Sequence, residues 1–144
     1  MGKPPKKNEY PWMVRVLSKQ KYSAKYFVCG ASLINSKWVL TAAHCLEDTT
    51  NKFELVDESA VTVKLGAHDL SATEASLVIM KISKIIMHPQ KKKQESGWDF
   101  ALLELSQDIE FAKHPKIRPV CLPENTLEDY AGHTASLTGW GLIG

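Results

Sequence analysis

The chain has 144 residues, 44% of them hydrophobic and 24% charged, and a formal net charge of +2. That is enough apolar material for one domain with a real core, while the charge is too small and too scattered for a nucleic-acid binder. No run nears the roughly 18 apolar residues that a membrane-spanning helix needs, so neither nucleic acid nor membrane is an expected partner.

The sequence begins MGKPPKKNEYPWMV, with lysines and prolines and no apolar stretch behind them. It does not read as a signal peptide, and residues 1–10 are expected to form an exposed arm. Apolar, β-branched segments then recur at Trp12 to Leu17, Phe27 to Ile34, Trp38 to Thr41, Val61 to Gly66, Val78 to Met87 and Phe100 to Leu105. Polar, turn-forming stretches separate them. No segment sustains a 3.6-residue period with caps, so little helix is expected. Short strands with polar loops favour an all-β fold, a six-stranded antiparallel closed β-barrel over residues 11–105, in which closure removes exposed edges. Residues 106–132 are punctuated by proline and charge and read as a linker over the surface. A further strand signal, HTASLTGWG, falls in residues 133–144 and has no partner strand inside the sequence.

The three cysteines are Cys29, Cys45 and Cys121, without metal-binding spacing. Three reduced, buried thiols are one reading. The other pairs Cys29 with Cys45, 16 positions apart across one strand pair, a reasonable disulfide loop. Such a bridge would tie down the backbone beside His44, which ends the run WVLTAAHC. A histidine after an apolar strand is most often structural. Asp99, however, stands directly before the apolar run FALLEL, where a carboxylate needs a partner if buried. An imidazole N–H is a suitable one, but only folding could bring together residues so far apart in sequence. His68, His88, His114 and His133 show no ligand-like spacing for zinc, and no cofactor or metal is expected.

The motifs PWMV (11–14), CGASLI (29–34), WVLTAAHC (38–45), HP (88–89), DFALLEL (99–105), RPVCLP (118–123) and GWG (139–141) occur along nearly the whole chain. In this order the chain resembles the N-terminal half of a chymotrypsin-like (trypsin-family) serine protease. The resemblance implies a first β-barrel, a linker at 106–132 and the opening strand of a second barrel that is otherwise absent. It implies that His44 is the general base of a Ser-His-Asp triad and Asp99 the carboxylate that fixes its tautomer. It also implies a Cys29–Cys45 disulfide, an extracellular setting, protein or peptide substrates, and an inter-chain tether from Cys121 to a propeptide or light chain.

The family's nucleophile follows in GDSGG, a string the sequence lacks. Ser32 lies within an expected strand and reads as structural, and Ser106 and Ser136 lack a glycine-rich turn that could cradle an oxyanion. The expectation is a fragment of a serine endopeptidase, inactive as it stands; the alternative is a non-catalytic protease-homologue binding module. The loop from Gly66 to His88 resembles in length the calcium loop of trypsins. Ala67 and Leu77 replace two expected carboxylates, leaving mainly Glu74, so calcium is not expected. Lys91, Lys92 and Lys93 read as a solvated basic loop, or as a source of preference for acidic substrate residues. An exposed apolar patch bordered by His44 is expected where a second barrel would pack.

Overall fold

Alternation of side chains along each strand decides which residues face inward, and the run of valines, leucines and isoleucines follows it closely. A computed structural model describes residues 5–72, 74–124 and 129–141. Eight strands lie in the order β1 (Met13–Lys19), β2 (Tyr26–Leu33), β3 (Trp38–Thr41), β4 (Glu47–Asp48), β5 (Glu54–Leu55), β6 (Val61–Leu65), β7 (Val78–Met87) and β8 (Ala101–Leu105). Six of them close into an antiparallel barrel, β1-β2-β3-β8-β7-β6. The described residues contain two short 3₁₀ turns, Ala43–Leu46 and Glu58–Ala60, and no α-helix.

Val14 and Val16 of β1 stand opposite Leu65 and Val63 of β6, and all four are buried. Val39 pairs with Leu103 across β3 and β8, again inside. This period-two burial is what one apolar face of a closed sheet requires. Strand β7 breaks the phase: Met80 and Ile82 point inward, then Ile85. A register shift between Ile82 and Lys84 absorbs the extra residue, as a β-bulge does. At the end of β6, Gly66 takes φ +69°, and a Cβ there would lie 2.1 Å from the Ser76 carbonyl oxygen. Only glycine fits that turn.

Three expectations need amendment. The polar stretch after Cys45 is not wholly loop, because Glu47–Asp48 and Glu54–Leu55 form a small hairpin, β4–β5. The linker does more than cross the surface: Ile109 and Ile117 are buried in the core cluster, and the Val120 N–H donates to the Leu33 carbonyl at 2.9 Å. Isolated isoleucines, Ile109 in a charged stretch and Ile117 between two prolines, give no periodic signal, so the pattern does not reveal these anchors. Residues 133–141 are not in a strand; residues 142–144 lie outside the described region. Instead the Trp140 Nε1–H donates to the His68 carbonyl at 3.0 Å.

Candidate active site

Strand β3 delivers the chain to the barrel rim, and Ala42 and Ala43 let it turn sharply into the 3₁₀ turn that carries His44. That turn is fastened from below. The Cys29–Cys45 disulfide joins it to β2, and the buried Ser18 hydroxyl donates to the Cys45 carbonyl at 2.9 Å. Thr41 donates its hydroxyl to the Gly30 carbonyl at 3.1 Å. Neither Ser18 nor Thr41 stands out in the sequence; a serine in phase with two buried valines was the available signal.

Asp99 arrives from the other side, two residues before β8, which pairs with β3. Its carboxylate grips His44 at two points. Oδ1 accepts the His44 backbone N–H at 2.8 Å, and Oδ2 lies 2.6 Å from Nδ1. An ionised carboxylate can only accept, so Nδ1 is the donor and Nε2 of the neutral ring carries the free lone pair. Nε2 lies 3.8 Å from the Cys45 sulfur, a weak acceptor, and the imidazole is 53% exposed against 28% for the carboxylate. Burial pushes the Asp99 carboxyl up. The hydrogen bonds from the His44 ring and backbone, with the electrostatic pull of that ring and of Lys91, outweigh it and hold Asp99 below its ordinary value. Phe27 packs edge-on to the imidazole with ring centroids 6.2 Å apart.

This arrangement can hold one imidazole tautomer, offer Nε2 to a proton donor, and stabilise the imidazolium that results. Of the three serines, Ser32 in β2 and Ser136 both line a groove beside Asp99, while Ser106 follows the end of β8. That groove, about 510 Å³, is lined by Trp12, Met13, Leu40, Phe100 and Leu137, with Phe100 and Leu137 exposed. It borders Asp99 rather than His44.

Cys29, His44 and Cys45 bring their donor atoms within 4.8 Å of one another. The disulfide occupies both sulfurs, which leaves a lone imidazole and no cation site. Cys121 is exposed and free. In the loop between β6 and β7, the Glu74 carboxylate accepts the His68 N–H at 2.6 Å and pairs with Lys7 at 3.0 Å; within the stretch from Gly66 to His88, Val78–Met87 is strand β7. A lysine from the N-terminal arm thereby supplies the positive charge to that carboxylate. The basic loop also differs from its sequence reading. The Lys91 side chain is only 2% exposed and pairs with Glu47, while Lys93 pairs with Glu54. The β4–β5 hairpin, unrecognised in the sequence, supplies both carboxylates.

Comparison with known proteins places this geometry in context. The trypsin family model matches residues 1–144. The chain is 36% identical over 143 residues to ovochymase-2 of Mus musculus, covering 99% of this chain and 21% of that protein. It is 35% identical over 144 residues to vitamin K-dependent protein C of Oryctolagus cuniculus, covering 97% and 28%. It is also 36% identical over 137 residues to inactive CLIP domain-containing serine protease A28 of Anopheles gambiae, covering 92% and 33%. The chain thus spans between a fifth and a third of the length of these relatives.

Proposed function

The chain belongs to the trypsin family of serine proteases, and on that basis we propose that it carries the proton-transfer half of a serine endopeptidase. The observation that carries the reading is the two-point grip of Asp99 on His44, at 2.8 Å and 2.6 Å. His44 acts as general base toward a serine hydroxyl and then as general acid toward the leaving amine. Asp99 fixes the Nδ1–H tautomer and stabilises the imidazolium. These roles follow the general Ser-His-Asp template, whose nucleophile in GDSGG is not among the 144 residues. The chain by itself is therefore inactive toward peptide bonds.

The test is peptide hydrolysis by the complete protein that contains this sequence. Asp99→Asn is expected to lower kcat roughly ten-thousandfold, as loss of the carboxylate does in Ser-His-Asp enzymes generally, with KM little changed. A complete protein that folds, retains His44 and Asp99, and cleaves no peptide would support the second reading, a protease homologue that binds partners without catalysis. One relative named as inactive, at 36% identity, keeps that reading in play. The disulfide supports an extracellular setting. Exposed Cys121 supports a tether to a propeptide or light chain, to be tested by disulfide mapping of the secreted product under non-reducing conditions. Residues 106–132 then serve as the linker to a second barrel, and the groove beside Asp99 as part of its seat.

A further inference from the structure

Asp99 closes a loop that begins at His88. The two ends are joined by the His88 N–H donating to the Phe100 carbonyl at 3.0 Å and by stacking of His88 on Trp98, centroids 4.6 Å apart. Within the loop, Gln94 and Trp98 have φ of 61° and 55°. Non-glycine residues adopt that left-handed conformation at a cost, and only where their surroundings enforce it. The loop's shape must therefore be imposed by contacts outside its own backbone preferences.

Lys91 is where it is imposed. Its Nζ donates to the Lys92 carbonyl at 2.9 Å and the Glu95 carbonyl at 2.6 Å, and pairs with Glu47 Oε1 at 3.1 Å. All three ammonium hydrogens are thus engaged. Both side chains are buried, 2% and 7% exposed. Glu47 follows the 3₁₀ turn of His44 directly, as its C-terminal flanking residue. One buried contact therefore ties the segment bearing Asp99 to the segment bearing His44. A buried ion pair is a poor stabiliser compared with apolar packing, so its placement between these two segments calls for a geometric reason. The outer Lys93–Glu54 pair is exposed and contributes little to the tie.

We infer that Lys91 and Glu47 are positioning residues, which dock the Asp99 loop on the β4–β5 hairpin and thereby keep the carboxylate on the His44 ring. The inference rests on the reading of His44 and Asp99 as the proton-transfer pair. It also accounts for the basic loop without assigning Lys91 any contact with substrate.

Hydrogen exchange in the 144-residue chain tests it, with Lys91→Met keeping the bulk and removing the charge. The His44 amide, which donates to Asp99, is expected to exchange about tenfold faster, equivalent to about 1.4 kcal/mol of lost local protection. Core amides of β1 and β8 should keep their rates, and the downfield His44 Nδ1–H resonance should broaden away. Unchanged His44 exchange, or equal acceleration at every protected amide, overturns the inference. If Lys91→Met does not fold, the milder Glu47→Gln, which keeps the shape of the side chain and removes its charge, takes its place. The same two measurements then support or overturn the inference in the same way. Asp99→Ala separates the two layers. If it leaves the His44 amide rate unaltered, the His44–Asp99 pairing itself fails; if it accelerates that amide while Lys91→Met does not, only the positioning role fails.

Discussion

The barrel wall and the rim loop from His88 to Asp99 are held by different physics. The wall is apolar, alternating and locally consistent: Val14, Val16, Val63, Leu65, Leu103 and their neighbours are buried by a rule that any segment of strand obeys. The rim is polar and locally strained, shaped by single contacts such as Lys91 to Glu47 and Asp99 to His44. Stability is spread over many equivalent side chains in the first region. In the second, position depends on a few that have no substitutes.

That contrast makes graded claims. The largest effect is expected in the wall, where Leu103→Ala should cost about 3–5 kcal/mol, measured by denaturant unfolding, because a fully buried leucine leaves a cavity. A loss under about 1 kcal/mol would mean that the wall is less tightly packed than it looks. Next comes the junction between the regions. Replacing Cys29 and Cys45 together by alanine should cost about 3 kcal/mol, read in the same assay, and should also loosen the His44 turn. Gly66→Ala should cost about 2 kcal/mol, since the new Cβ meets the Ser76 carbonyl at a positive φ.

The smallest effect belongs to the rim carboxylates. Burial raises Asp48, but donation from Thr50, Lys21 and Asn51 prevails and holds it below its ordinary value, as donation from His44 does for Asp99. Groups depressed in the folded state stabilise it once ionised, above their unfolded values near about pH 4. That contribution is lost as pH falls through the lower folded values. The thermal midpoint should therefore drop on acidification below about pH 4, and less steeply in Asp48→Asn. Parallel pH curves for the two proteins would show that Asp48 carries none of this dependence.

The two regions also differ in how far they could be read without coordinates. Each of the six wall strands was legible to within two residues at either end, since alternation and turn residues are local signals. The phase change in β7 was not, because a bulge depends on pairing with β8. At the rim, His44 and Asp99 were legible as candidates only through the motifs WVLTAAHC and DFALLEL; nothing in their 55-residue separation announces contact. Lys91 read as solvated because its carboxylate sits in a hairpin of two-residue strands, too short to leave a pattern. Ser18 gave no signal because its partner, the Cys45 carbonyl, is remote in the chain.

The tautomer of His44 is the point on which the functional reading turns, and a long-range proton–nitrogen correlation spectrum of the chain near neutral pH reports it. The proton is expected on Nδ1, hydrogen-bonded to Asp99, with Nε2 bare. A ring protonated on Nε2, or one exchanging freely between tautomers, would contradict the pairing and with it the assignment of His44 as a base.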